Sequence, residues 1–498
     1  MNDVVFIKGQ GGLGRPLAGE DFISGYLHYT SALPSGFSST DRIKQVFSID
    51  EAEDLGITNT HIGETKATAT ITMTTLGANG DTLAINVVTA LGVVSLGTYT
   101  KTSAETTTTL EATAIAALIN SGTATHGFTA VGAVAVVTVT APAGSGVGAN
   151  SWTFSNVFTG TMAGTSSTWS GGVASHIDII HYHINEYFTM QPKGNLYVGI
   201  YATADVATWS NVTDMQNYAE GKIRQMFVYQ NTTAYATTQS TSLQGVVNSN
   251  TADAAPLEIF YQPDFSAVSL SALSDLRALN APNVTVLIGQ DGGNVGRDLW
   301  LATGKSIGFG GAFLGSISLS KVNESVSWVG KFDFSHVEYD TLAFANGVSY
   351  RTSSSGLINN VDALGYVFLI KRRSQSGSYC TRPHTNVSIS SDYAFVNYNR
   401  TINKAIRGLR QFLVPQLSAP VFVNKDGTLQ EDTISYFETL ASRAMDAMQR
   451  DREVSEFSVV INPKQNVLST SKLIINVKMV PVGVADEIEV NIGFALSI

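Results

Sequence analysis

The sequence predicts an α+β protein of several domains, in which a mixed α/β core is interrupted by an inserted β-rich domain. Three observations support this prediction. The chain has 498 residues, which is more than one compact core usually holds. Residues 65–175 are rich in threonine and contain only five charged residues. After this block, strand patterns and helix patterns alternate along the chain.

We expect the chain to divide into five parts. These are an N-terminal arm with a hinge (residues 1–20), a middle α/β domain (21–64 and 176–395), the inserted domain (65–175), an α+β C-terminal domain (396–485) and a C-terminal arm strand (486–498).

The composition excludes several classes of protein. Hydrophobic residues make up 44% of the chain, which is too many for a disordered protein. Charged residues make up 14%, well below the roughly 25% of typical soluble domains, and this favours a protein that packs against others. The net charge of −10 argues against a general nucleic-acid binder.

Cysteine content and targeting patterns narrow the choice further. The one cysteine, Cys380, rules out an intramolecular disulfide and a cysteine-based zinc site. We see neither a signal-peptide pattern nor an apolar run of about 18 residues, so we expect a protein made in a cytoplasm and without membrane insertion.

In the inserted block, we predict strands at residues 67–73, 82–90, 133–141 and 151–158, separated by glycine-containing turns. Residues 109–120 are predicted to form a helix. Its apolar side is expected to consist of Leu110, Ala114, Leu118 and Ile119.

In the middle domain, residues 177–188, 194–202, 226–230 and 284–289 are predicted to be strands, and residues 211–223 and 269–279 helices. This β-α-β order predicts an α/β layer with at least partly parallel strands.

In the C-terminal domain, residues 400–413 are predicted to form an amphipathic helix. A second helix is expected to start at a capping box, Thr428 to Glu431. Strands are expected at residues 456–461 and 472–480. The apolar stripe of the second helix is predicted to be Ile434, Phe437, Ala441, Met445 and Met448.

The last twelve residues alternate without interruption between apolar and polar or small side chains. A strand this regular needs a sheet to join, because its backbone donors and acceptors are otherwise unpaired. The apolar positions are Ile488, Val490, Ile492, Phe494, Leu496 and Ile498.

The C-terminal region resembles the contractile tail sheath proteins of bacteriophages and phage-tail-like injection particles. The resemblance covers roughly the last 120 residues well and residues 177–370 loosely. The inserted block is similar to the variable outer domains of many sheath proteins. The segments that carry the resemblance are residues 391–396, 399–406, 426–428, 445–448, 459–463, 473–482 and 487–498.

This resemblance implies a structural protein that is not an enzyme and needs no cofactor. Its subunits would form a helical homopolymer of stacked hexameric rings around a tail tube, attached to baseplate and tail terminator proteins. Contraction would drive the tube through the host envelope. The particle would be a phage or a phage-derived injection system, assembled in the bacterial cytoplasm, with the sheath in the virion tail.

The resemblance also implies that terminal arms add strands to the C-terminal domains of neighbouring subunits. The N-terminal arm strand would be Val4, Val5, Phe6 and Ile7, with residues 9–14 as its hinge. The C-terminal arm would be the alternating segment that ends the chain.

A basic face on the first C-terminal helix has two interpretations. It is either a solvated helix face or a docking stripe for the tube or an adjacent subunit, with Glu431, Asp432 and Glu438 as candidate intersubunit partners. The face consists of Arg400, Lys404, Arg407 and Arg410.

Other motifs are weaker. Residues 9–14 match the dinucleotide-binding pattern G-x-G-x-x-G, but Arg15 and Pro16 follow where a helix should propagate, so the hinge is favoured. His181, His183 and Glu186 have a spacing that could hold a metal, yet lack a third strong ligand, so no metal is predicted.

Three rival functions remain open. The chain could be another tail or baseplate protein that shares the inserted domain. It could be an α/β hydrolase with a β-rich accessory domain, although no nucleophile or phosphate-loop motif occurs. It could also be a surface adhesin, which the missing signal peptide disfavours.

Overall fold

The structure is a computed structural model that describes residues 20–336 and 338–494. The predicted N-terminal strand of Val4 to Ile7, the predicted hinge, and Leu496 and Ile498 lie outside these residues.

The elements up to residue 166 comprise the start of the middle domain and the inserted block. They are β1 (Ile23–Tyr29), β2 (Ile43–Val46), α1 (Ile49–Asp54), β3 (Thr68–Thr75), β4 (Thr82–Thr89), β5 (Gly92–Thr100), α2 (Thr108–Ser121), α3 (Thr123–His126), β6 (Thr129–Ala133), β7 (Val136–Thr140), β8 (Thr153–Phe154), β9 (Val157–Phe158) and β10 (Ala163–Ser166).

The elements after the block complete the middle domain and form the C-terminal region. They are α4 (His176–Met190), β11 (Asn195–Tyr201), α5 (Ser210–Tyr218), β12 (Gln225–Ala234), α6 (Thr237–Ala252), β13 (Glu258–Asp264), β14 (Val284–Val286), β15 (Gly289–Asp291), α7 (Val295–Thr303), α8 (Gly310–Leu319), β16 (Leu342–Phe344), α9 (Ser355–Ala363), β17 (Leu369–Ile370), β18 (Tyr379–Cys380), α10 (Val396–Leu413), α11 (Glu431–Arg450), β19 (Val454–Ile461), α12 (Val467–Thr470) and β20 (Ile475–Pro481).

A six-stranded sheet forms the centre of the middle domain, in the order β14-β13-β12-β1-β11-β2. Its strands are parallel except for β2, which pairs with β11 in the antiparallel sense. Helices α4 and α8 cover one face and α5 and α6 the other, so successive residues such as Tyr26 and Leu27 enter two different cores. The prediction of an α+β fold with more than one core is confirmed.

Residues 177–188 form most of α4, so the prediction of a strand there is wrong. Twelve of the fifteen residues in α4 are buried, because the helix is enclosed by α1, α7, α8 and the sheet. A helix buried on all sides shows no polar face, and its isoleucine and aromatic residues are those that strands favour.

Two other predictions in the middle domain also need correction. Residues 269–279 form two short 3-10 turns and no continuous helix. The helix is interrupted at Asp275, because the backbone of Asp275 is extended and its side chain accepts a hydrogen bond from the backbone N–H of Arg277. The strand expected at 284–289 is divided between β14 and β15, which belong to different sheets. The predicted strands at 194–202 and 226–230 correspond to β11 and β12.

The inserted block forms two small antiparallel sheets, β10-β3-β7-β6 and β5-β4-β8, and β9 also pairs with β4. These sheets and α2 enclose a buried core drawn only from residues 67–169. The predicted helix is α2. Of its expected apolar side, Ile119 is buried and Ala114 and Leu118 pack against the core, but Leu110 is 46% exposed. The buried residues of α2 are Glu111, Ala112, Ile115, Ala116 and Ile119.

The block enters and leaves the middle domain at one place. The backbone N–H groups of Thr65 and Val173 donate to each other's carbonyl oxygens at 3.0 and 2.8 Å. The loop of the block that contains Gly148 packs directly on α7. A Cβ atom at Gly148 would collide with the carbonyl oxygen of Leu301 in that helix. The domain boundaries at 65 and 175 stay a prediction.

In the C-terminal region, α10 and α11 pack together and α11 packs on the antiparallel hairpin β19–β20. The predicted strands and the predicted apolar stripe of α11 are present and the stripe is buried. The capping box is wrong, because α11 begins after Gln430 and the hydroxyl of Thr428 donates to Asp426 instead. Among residues 20–336 and 338–494, no helix combines the length and apolar composition needed to cross a membrane.

Candidate assembly surfaces of the C-terminal region

The hairpin β19–β20 is a sheet of only two strands in the part of the chain that the structure describes. Its register places Ser458 opposite Lys478 and Ile461 opposite Ile475. Two-stranded sheets are marginal alone, and an open edge leaves a row of backbone donors and acceptors without partners. The hairpin can therefore accept a further strand.

A groove of about 600 Å³ runs between α10 and β20. Its walls are mostly apolar because the apolar face of α10 is only partly covered by α11. The residues that line it include Tyr398, Ile402, Ile406, Leu409, Val477 and Met479. Such a groove lies where an added strand would insert alternate side chains.

The segment that follows β20 exposes its apolar side chains. Residues 482–494 form no strand, so the described part of the predicted C-terminal arm pairs with no sheet of its own chain. Ile488 is 81% exposed, Ile492 is 90% exposed, and Val490 and Phe494 are also exposed. Exposed apolar side chains at alternate positions are typical of a segment that is covered by a partner.

The start of this segment contacts the middle domain. Arg382 forms an ion pair with Asp486, and its guanidinium lies 3.3 Å from the centre of the Phe395 ring. The alternating residues begin directly after this contact.

Contrary to expectation, most of the basic face of α10 is buried. Arg400, Lys404 and Arg407 are each at least nine-tenths buried, and only Arg410 of the four is exposed. Three of the four residues are therefore neither a solvated helix face nor an exposed docking stripe. The reason is that their charges are matched inside the chain by groups distant in sequence.

Each buried cation has defined partners. Arg400 donates to the hydroxyl of Ser320 at 2.7 Å and to the carbonyl oxygen of Lys321 at 3.2 Å. Burial lowers the pKa of Arg400 to about 10, which leaves it charged at neutral pH. Lys404 forms ion pairs with Asp21 at 2.7 Å and with Glu453 at 2.6 Å.

Buried carboxyl groups lie on the same side of α10. Glu258 accepts hydrogen bonds from the side-chain amides of Asn283 at 2.7 Å and Asn403 at 2.9 Å. Burial nevertheless raises the pKa of Glu258 to about 8. Burial also raises the pKa of Glu453, although its hydrogen bond from Lys404 opposes this shift.

The candidate acidic partners on α11 are placed differently from one another. Glu431 and Asp432 are exposed in the first turn, whereas Glu438 accepts a hydrogen bond from the backbone N–H of Ile461 at 2.9 Å. Glu438 thus has a role within its own chain. The docking function of Arg410, Glu431 and Asp432 stays a prediction.

The histidines considered for a metal lie on helix α4, not on a strand. His181 contacts Glu53 at 2.9 Å, and burial lowers the pKa of His183 to about 3. In the described parts of the chain, no three histidine, cysteine or carboxylate side chains are grouped so that they could hold a metal ion. Cys380 is buried, and burial raises the pKa of its thiol.

Two residues that form ion pairs with α10 were not identified from the sequence. Asp21 precedes β1 and Glu453 precedes β19, and neither belongs to a motif or a helical face. No local pattern links them to α10, since the separation is 383 residues for Asp21 and Lys404 (404 − 21).

Comparisons with known proteins give one family match and several structural likenesses. The family described as DUF2586, C-terminal domain, matches residues 392–498. This segment contains α10, α11, the hairpin β19–β20 and the exposed segment after it. A comparison with curated proteins finds no match.

Among solved structures, the chain is similar to the helical sheath of the anti-feeding prophage in the contracted state. The identity is 14% and the TM-score 0.42, over 62% of this chain and 81% of that one. It is similar to the sheath complex of an extracellular contractile injection system, also contracted, with 12% identity and a TM-score of 0.43 over 64% and 81%. It is also similar to a sheath tail protein from Listeria innocua, with 10% identity and a TM-score of 0.41 over 93% and 92%.

Proposed function

We propose that this chain is a structural tail sheath subunit, which polymerises as a helical sheath around a tail tube and contracts to drive the tube through a host envelope. The observation that carries the proposal is that two neighbouring surfaces of the C-terminal region have no partner within the described part of the chain. The open hairpin β19–β20 lies beside an apolar groove, and an exposed alternating segment follows it. If neighbouring chains exchange these segments, the exposed segment of one chain adds a strand to the open hairpin of the next and places its apolar side chains in the groove.

The dimensions of the two surfaces agree. Residues 487–494, if extended, would span about 26 Å at roughly 3.3 Å per residue, and the seven residues of β20 would span about 23 Å. Each apolar side chain that becomes fully buried contributes about 1.5–3 kcal/mol, before the cost of ordering the segment. Several such side chains give a tether that can persist while subunits move.

The remaining parts of the proposal rest on the sequence resemblance. The partners would be further copies of this chain in stacked hexameric rings, the tail tube protein, and baseplate and terminator proteins, with the inserted block facing outward. The subunit would act without a cofactor or catalysis, would not bind nucleic acid directly, and would be assembled in a bacterial cytoplasm. The energy of contraction would come from better subunit interfaces in the contracted state.

The test is negative-stain electron microscopy of the purified full chain, alongside Ile492→Lys and Asn491→Lys. Ile492 is on the apolar side of the exposed segment and Asn491 on the opposite side, and both are exposed in the single chain. Neither change should therefore affect folding. We expect helically striated tubes from the full chain and from Asn491→Lys, but only small particles from Ile492→Lys.

A chain that ends at Ala485 should behave like Ile492→Lys. If the full chain stays monomeric both alone and with tube protein, the sheath proposal is wrong. If tubes form equally well from both lysine variants and from the shortened chain, the sheath is kept and the exchanged C-terminal segment is excluded.

A further inference from the structure

Residues 20 and 21, at the start of the described chain, are held by ion pairs. Asp21 lies two residues before β1, and its carboxylate forms ion pairs with Lys404 at 2.7 Å and with Arg407 at 2.5 Å. The side chains of Lys404 and Arg407 are 9% and 8% exposed, and that of Asp21 is 17% exposed. These ion pairs are largely shielded from water, so salt weakens them less than it weakens exposed pairs.

The contact extends to both sides of Asp21. Lys404 also pairs with Glu453, which is 6% exposed and directly precedes β19. The preceding residue, Glu20, pairs with Arg224 at 3.0 Å. Residues 20–21, helix α10, the start of the hairpin β19–β20 and Arg224, which directly precedes β12 of the central sheet, are thus joined in one ionic cluster.

This arrangement differs from the ion pairs between near neighbours in the sequence. Lys44 with Asp41 and Arg297 with Asp298 are close in sequence and more exposed, so they connect no separate parts. Arg407 and Asp21, by contrast, connect the end of the N-terminal segment to the C-terminal region across 386 residues.

We propose that Asp21 is a mechanical clip, which passes tension on residues 1–20 directly to α10 and the C-terminal region. Without the clip, the same tension would enter β1, which lies inside the central sheet between β11 and β12. The clip shares this load between the middle domain, to which Glu20 is paired through Arg224, and the helix that forms one wall of the apolar groove. This inference rests on the proposed function only for the source of the tension, a neighbouring subunit that holds the N-terminal segment.

The test pulls single full-length chains in optical tweezers, so it does not depend on whether tubes form. Handles are attached through Asn2→Cys and Lys464→Cys, and the native Cys380 does not compete because it is buried. Lys464 is an exposed residue between β19 and α12. In the control geometry the second handle is at Lys193→Cys, in the exposed loop before β11, so the load enters the sheet without passing through α10.

With handles at 2 and 464, Asp21→Ala should shorten the lifetime of the intact state at constant force by roughly tenfold or more, because breaking a buried ion pair is costly. With handles at 2 and 193, the lifetime should change by less than about twofold, because the direct path of the load runs through the paired strands β1 and β11 and not through α10. Equal shortening in both geometries would mean that Asp21 only stabilises the fold, and no shortening in either would mean that it carries no load. Either result overturns the proposal. If Asp21→Ala does not fold, Asp21→Asn takes its place, since the amide keeps an acceptor for Arg407.

Discussion

Glu258 connects the central sheet to α10 at the scale of a single residue. It is the first residue of β13, it is 1% exposed, and one of its carboxylate oxygens accepts hydrogen bonds from Asn283 and Asn403. Burial raises its pKa from 4.5 to about 8. Below pH 4.5 the carboxyl is protonated in both the folded and the unfolded chain, so it contributes no pH dependence.

We predict that Glu258→Gln becomes more stable relative to the wild-type chain as the pH rises from 4.5 to about 8. In this window the unfolded chain ionises Glu258 and the folded chain does not, so the wild-type free energy of unfolding falls by up to about 1.4 kcal/mol per pH unit. Glutamine resembles the protonated acid and removes this loss. Denaturant unfolding of both chains at pH 5, 6.5 and 8 measures the difference, with Glu489→Gln on the exposed C-terminal segment as the control for removing one negative charge. A constant difference between the chains at all three pH values would contradict the prediction.

At the scale of an element, α10 has a buried charged face and a half-exposed apolar face. Its cations Arg407 and Arg410 lie three residues apart and have the same chemistry, but only Arg407 is buried and paired. The helix thus supplies its own matched comparison.

We predict that Arg407→Ala lowers the free energy of unfolding by about 3 kcal/mol, because one partner of a buried ion pair is lost. Arg410→Ala should change it by no more than about 0.5 kcal/mol, as is usual for an exposed position without such a contact. Urea unfolding followed by circular dichroism gives both values. Equal and small effects would show that the basic face is accessible to solvent after all.

Elements differ in how well the sequence predicts them. Helix α11 and its buried stripe follow from a 3.6-residue period, because one side of the helix is in water. Helix α4 has no side in water, so its period is hidden and its isoleucine and aromatic residues predict a strand. The charges of α10 were located correctly along the chain, but their burial depends on Asp21 and Glu453, which only the tertiary fold brings near.

At the scale of the whole molecule, the inserted block has a core of its own, and the chain enters and leaves it at one place. The core uses residues 67–169 only, and the chain enters and leaves the block at the paired residues Thr65 and Val173. The ion pair between His61 and Asp178 lies outside the block and would remain without it. The block contacts α7 through the loop around Gly146 and Gly148.

We therefore predict that replacing residues 66–172 with a short glycine linker leaves the middle and C-terminal regions folded. The linker closes a gap of only about 5.5 Å, the usual Cα separation of a hydrogen-bonded antiparallel pair, so the loop it forms costs little entropy. The isolated block, residues 65–173, should also fold, since its apolar side chains find their partners within the block. The measurement is cooperative thermal unfolding of the shortened chain, the isolated block and the full chain, followed by circular dichroism and calorimetry.

A smaller deletion of residues 66–100 is the matched control. It removes β3, β4 and β5, which supply many of the buried side chains of the block's core, and exposes the rest of that core, so it should aggregate although it removes fewer residues. If the larger deletion aggregates and the smaller one folds, the block is part of a core shared with the middle domain and the predicted boundaries at 65 and 175 are wrong.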